Sequence, residues 1–278
     1  MRGYDDFLIT NALDYHEIVR RSYVNAGLAV PTNIYGDPNN PQVPTYIWPN
    51  NCGANPCTTV DESNYAYENS NRIIMRGSPG TNWWKSVFGT GMVGDYNLDV
   101  SGGGAENAYT VAVNYFNQEG TARYNEYKRG SARVNSNFTR GRFNFGENIA
   151  LAADRHFGGM TDDASGENTI VGKNILMQPV VPVYDIGGNF ASGKAVGLGN
   201  NTNPLKIAFM SRDNITHNNR LFGNFFGGFT VTEDITLRSR LGFNLWQGGT
   251  SGFNPITPEN AEPTTINSIF ENENRVTD

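Results

Sequence analysis

The sequence predicts an all-β fold: about six antiparallel strands, part of a barrel that crosses a membrane, with long loops and short helices in the first loop. Three observations predict it. Apolar and polar residues alternate with period two over several stretches. The joints between those stretches alternate between short turns and long loops, the habit of membrane barrels. The composition also suits two-faced strands and turns better than a thick core, with hydrophobic residues at 38%, aromatic at 12% and 32 glycines.

In chain order, Asn11 to Gly27 reads as a helix. Asn11 caps it, Asp14 and Glu17 sit early, Arg20 and Arg21 sit late, and Gly27 stops it. His16 on that helix reads as packed or solvated. From Pro31 to Pro49 the chain is rich in Pro and Asn and reads as loop, with Tyr46 and Trp48 as anchors or contacts. Thr81 is read as the cap of a short helix containing Trp83 and Trp84, whose indoles suit packing better than a sugar platform.

Six strands follow: Val93 to Ser101, Ala108 to Asn117, Tyr127 to Phe138, Arg142 to Ala153, His217 to Val231 and Ile235 to Trp246. Tyr109, Val111, Val113 and Tyr115 share one face of the second. Arg129, Arg133 and Asn135 alternate with small or apolar residues on the third. On the last, Leu237, Leu241, Phe243 and Leu245 oppose Arg238, Arg240 and Asn244. An apolar face toward lipid and an arginine face toward a wet lumen fits this pattern. A sandwich burying the apolar face against a second sheet fits the alternation equally well. Glu147 interrupts the fourth strand, and the fifth has phenylalanines on both faces.

Charge and motifs exclude several function classes. A net charge of −6 and a pI near 5.1 argue against nucleic acid, whose phosphates need clustered Lys and Arg. Mean hydropathy is −0.48, and no apolar run is long enough for a spanning helix, although barrel strands escape that test. Nucleophile elbow, zincin and phosphate-loop motifs are absent, so neither an enzyme nor a cofactor is expected. Asp162, Asp163 and Glu167 offer loop oxygens for calcium but read as solvated. Cys52 and Cys57, in C-G-A-N-P-C, suit a loop disulfide in an oxidising compartment, with free thiols as the alternative. Met1 to Asp6 contain no secretory apolar segment, which leaves a cytosolic chain or one whose start lies upstream.

An ordered succession of motifs carries a family resemblance: G-T-N-W-W-K-S-V-F from Gly80, N-L-D-V-S-G-G from Asn97, Y-F-N-Q-E-G from Tyr115, R-V-N-S-N-F from Arg133 and G-E-N-I-A-L from Gly146. P-V-V-P-V-Y-D-I-G-G-N-F from Pro179 and Asn203-Pro204-Leu205 continue it. Together they resemble the early barrel of SusC/RagA-type TonB-linked outer-membrane transporters. The resemblance implies a plugged barrel of about 22 strands, importing glycan or peptide oligomers with a SusD-like surface lipoprotein and energy from TonB. It implies that Arg129, Arg133, Asn135, Arg238, Arg240 and Asn244 face the lumen. Trp48, Tyr184 and Asp185 then become contacts for cargo or the lipoprotein lid, and an outer-membrane location favours the Cys52–Cys57 disulfide.

Signal, TonB box and plug are not found, so the resemblance implies a fragment. Residues 1–91 are expected to form a surface-loop region, and 92–278 the strands and extracellular loops, ending inside a loop after Trp246. A soluble β-sandwich glycan-binding module and a passive porin-like barrel are the competing readings.

Overall fold

The computed structural model describes residues 8–37, 39–49, 57–159, 169–199, 201–260 and 262–277. The chain opens with α1 (Ala12–Asn25) and α2 (Thr32–Tyr35). Two small ribbons come next, β1 (Gly36–Asp37) with β2 (Asn40–Pro41) and β3 (Tyr46–Ile47) with β4 (Met75–Arg76), then α3 (Trp83–Val87). After these lie β5 (Val93–Gly103), β6 (Asn107–Glu119), β7 (Glu126–Arg140) and β8 (Phe143–Phe157). Beyond α4 (Ile170–Leu176) and α5 (Pro204–Met210), the chain ends with β9 (Ile215–Thr230), β10 (Thr236–Asn254) and β11 (Ser268–Thr277).

Strands β5 to β11 form one seven-stranded sheet in sequence order, open at β5 and β11. The pairs from β5 through β10 are antiparallel. The up-and-down order puts three tight turns, between β5 and β6, β7 and β8, and β9 and β10, at one end. The turn at Gly141 needs its left-handed backbone, φ +58°, which glycine adopts without a Cβ clash. The stretch between β8 and β9 and that between β10 and β11 leave from the opposite end.

Three expectations are corrected. Among the described residues the large sheet has seven strands where about six were expected, and the chain does not stop in a loop after Trp246: β10 runs on to Asn254 and β11 succeeds it. Q-G-G-T-S-G looks like a turn, but its backbone stays paired with β9 as far as Ser251 opposite Ile215, which outweighs the weak strand preference of glycine. The third correction is the cap of α3, which is Asn82 and not Thr81: its side chain accepts from Lys85 N at 2.9 Å.

The described residues divide into two compact units. The sheet unit holds Thr90–Gly158, Arg212–Phe253 and Ile269–Asp278, and the other holds Met1–Gly89, Gly159–Ser211 and Asn254–Ser268. Stretches that read as separate long loops therefore share a hydrophobic core, built from Ile34, Tyr35, Ile47, Met75, Trp83, Val180, Val181 and Leu198. Polar side chains stitch it together. Trp83 Nε1 donates to Gln178 O at 3.0 Å, and Asn174 Nδ2 donates to Trp83 O at 2.8 Å. Buried Asn203 caps α5 through its oxygen and donates to Val183 O and Ala191 O at 2.9 and 3.0 Å, so the Asn-Pro-Leu motif is a structural knot.

Candidate functional site

The strongest candidate for function is the sheet itself, because its register sorts side chains onto two unlike faces. Val111 pairs with Val100 and Val134, Val134 with Ile149, Ile149 with Gly223, and Gly223 with Phe243. Since paired residues share a face, this row is apolar across six strands. The neighbouring rows add Leu98, Val113, Ala132, Leu151, Leu221 and Leu245. All eight apolar residues expected on one face of β6 and β10 lie there. Leu237 and Leu241 are 64% and 71% exposed. No second large sheet covers this face among the described residues; besides it there are only two two-stranded ribbons. The cover that a sandwich would need is not in the described chain.

Aromatic rings border the apolar band. Near the tight turns, Phe138 lies 5.5 Å from Phe145 and Phe143 lies 4.9 Å from Phe229. Toward the other end, Tyr96 stacks on Tyr115 at 6.3 Å. Within the band Glu147 interrupts the apolar face, between Ser136 and Phe225.

The opposite face carries Arg129, Arg133, Asn135, Arg238, Arg240 and Asn244. Arg238 and Arg240 line a shallow depression of about 490 Å³ with Asn135, Asn137, Asn144 and Asn148. Arg129 and Arg133 line a second, of about 390 Å³, with Asn97, Asp99 and Asn114. Amides knit the surface: Asn114 Nδ2 donates to Asn97 Oδ1 at 2.8 Å and also bonds Asp95, and Asn144 Nδ2 donates to Asn137 Oδ1 at 2.6 Å. Arg129 donates weakly to Asn114 at 3.4 Å and lies over the Phe116 ring. Such a face is polar, multiply hydrogen-bonded and suited to water or polar solutes.

Sequence reading missed several members. Arg220 donates to Asn244 Oδ1 at 3.1 Å, and Asp154 accepts from Asn218 at 3.0 Å. Alternation of Asp95, Asn97 and Asp99 with Tyr96, Leu98 and Val100 was the available signal for the first strand. Phenylalanines hid Arg220, because Phe222 and Phe226 occupy the polar face and blur the period on β9.

The contact residues expected in the other unit have mixed fates. Tyr184 is half exposed, with its ring 5.4 Å from Phe190. Trp48 spends its indole N–H on Asn71 O at 3.0 Å. Asp185 organises a turn: it is buried, and its carboxylate accepts from Tyr65 Oη, Gly187 N and Asn189 N at 2.8, 2.9 and 2.8 Å. Burial raises the Asp185 carboxyl above its ordinary range, and it pushes Tyr65 up to about 12. Cys57 is buried and its backbone pairs with that of Tyr46, whose N–H donates to Cys57 O at 3.0 Å, while Cys52 lies outside the described residues, as do Asp162, Asp163 and Glu167. Among the described residues no cluster of His, Cys, Asp or Glu could hold a metal, and no helix is long and apolar enough to cross a membrane, which says nothing of strands.

Comparison with known proteins bears out the resemblance to SusC/RagA-type TonB-dependent transporters. No family model matches the chain. A curated relative, TonB-dependent receptor P3 of Formosa agariphila, is 22% identical over 189 residues, covering 66% of this chain and 18% of the receptor. Among solved structures, the RagAB peptide transporter superposes with a TM-score of 0.55 at 22% identity, over 71% of this chain and 22% of that one. The RagAB peptide importer in its 'closed-closed' state gives 0.58 at 20% identity, over 92% and 27%. The fold is therefore that of part of a RagA-like barrel, and the chain spans about a fifth of the curated relative's length.

Proposed function

We propose that this chain is a section of the wall of a TonB-dependent transporter in the outer membrane of a Gram-negative-type cell. The parent imports nutrient oligomers, glycan or peptide, with a SusD-like surface lipoprotein and energy from TonB. The observation that carries the reading is the two-faced register. On β8 the apolar band runs from Phe143 to Ala153, about 34 Å of strand, or about 25 Å of depth at a tilt of about 40–45°. That matches the apolar belt of an outer-membrane barrel, and the flanking aromatic rows match its girdles.

In this reading the apolar face meets lipid, and Arg129, Arg133, Arg238 and Arg240 meet water, plug or cargo in the lumen. The work done is passage and binding rather than bond chemistry. The likeness to RagAB, a peptide importer by name, supports import, and peptide is one of the two cargo classes proposed. Uptake of labelled peptide and glycan oligomers, by cells with and without the full-length protein and with and without TonB, tests this. Import lost on deleting either component is expected. Unchanged uptake of both cargo classes would remove the transporter reading.

A further inference from the structure

The apolar face ends in a feature that an importer's wall does not require. Beyond Ala153, at the end opposite the tight turns, the register sets Lys128 beside Arg155 and Arg155 beside His217. Three basic side chains on three adjacent strands thus form one row on the apolar side, about 10 Å wide at the usual strand spacing. Two acidic neighbours are engaged: Glu126 pairs with Lys128 at 2.9 Å, leaving that ammonium two further donors, and Glu273, beside the Gly249 that pairs with His217, is taken up by Arg275 at 3.5 Å. Arg155 pairs with no acidic side chain among the described residues, and it is exposed. The tight-turn rim of the same face carries Arg140 opposite Phe143 on the neighbouring strand.

We propose that Lys128, Arg155 and His217 form a docking row for the phosphorylated headgroup of a lipid in the outer leaflet. The inference rests on the reading above that this face meets lipid. Tight turns mark the inner side of such barrels, so the row lies at the outer boundary of the apolar band. Long basic side chains there extend along the strand and place their charge at headgroup level while their stems stay in the apolar zone. Arg155 presents a planar fork suited to two phosphate oxygens, and Lys128 adds a point charge beside it. A neutral headgroup would leave Arg155 without a counter-charge among the described residues.

The test uses the full-length protein in detergent, with bis-phosphorylated lipid A as the probe and the dephosphorylated lipid and inorganic phosphate as comparisons. Lys128→Gln with Arg155→Gln is expected to weaken retention of the phosphorylated lipid about 25-fold, from about fivefold per basic side chain at an anionic surface. Arg140→Gln, at the opposite rim, leaves retention unchanged. Equal retention by wild type and the double variant overturns the proposal. So does full competition by millimolar inorganic phosphate, which would mark a free-anion site. A nitroxide at Leu241 separates the two readings. If aqueous reagents quench it and lipid-soluble ones do not, the membrane-wall reading fails; if it is lipid-accessible and retention is still equal, only the headgroup row fails.

Discussion

At the residue scale, Glu259 and Lys206 are nearly inaccessible to solvent and pair directly. Glu259 also accepts from Tyr67 Oη at 3.0 Å, and its backbone oxygen takes a bond from Ser192. Burial pulls the Lys206 ammonium below its ordinary pKa, and Glu259 opposes that pull. Glu259→Gln keeps the acceptor for Tyr67 but leaves Lys206 without a counter-charge, so a loss of about 3–5 kcal/mol is expected. Adding Lys206→Met should recover most of it in urea unfolding; a double variant as unstable as the single would refute the pairing argument. His16 supplies a pH dependence. Its Nδ1 donates to Gln42 O at 3.1 Å, while Nε2 is buried without a partner, and burial holds its pKa below the ordinary 6.5. The folded state then binds fewer protons than the unfolded one, so this stability is complete above about pH 6.5 and lost as pH falls through the folded value. His16→Phe should flatten the stability slope just below pH 6.5, and an unchanged slope would refute it. Disulfide pairing of Cys52 with Cys57 predicts that neither thiol is alkylated without reduction, as mass spectrometry reads directly.

At the element scale, each face predicts its own tolerance. Val111 lies in the middle row of the apolar band and Thr110 on the polar face beside Asn135. Val111→Arg should cost about 2–4 kcal/mol in a lipid environment, and Thr110→Arg within about 0.5 kcal/mol. Equal costs in bilayer unfolding would mean that the faces are misassigned. Strands with this contrast were legible in the sequence because side-chain period is fixed by the pleat. The missed strand, β11, reads S-I-F-E-N-E-N-R-V-T, with Glu271 and Glu273 on one face and Asn272 and Asn274 on the other, so neither face is continuously apolar. Its place at the sheet edge, rather than an apolar face, makes it a strand. The missed helix α5 did carry a signal, Asn203 before Pro204, the cap and first-turn pair. The shared core of the connecting stretches was not legible. Its members come from distant segments, such as Tyr35 and Gln178, whose side chains bond at 3.1 Å, and no local periodicity links them.

At the scale of the whole molecule, the sheet is open, with β5 and β11 each paired on one side only. In hydrocarbon every unpaired backbone group costs several kcal/mol, so an open seven-stranded wall cannot stand alone in a bilayer. In water the difficulty changes face. Leu98, Leu237 and Leu241 are each more than 60% exposed, and a continuous apolar face of this extent drives association. Neither solvent satisfies the isolated chain; closing the barrel with further strands satisfies both demands together. Expressed as given, the 278 residues should therefore aggregate or assemble into oligomers that cover edges and face, and should form no discrete channel. Mass in detergent and in plain buffer, thermal unfolding and planar-bilayer conductance measure this. A monodisperse monomer melting cooperatively in plain buffer would refute the membrane-wall argument, because a soluble monomer needs its apolar face covered from within the chain.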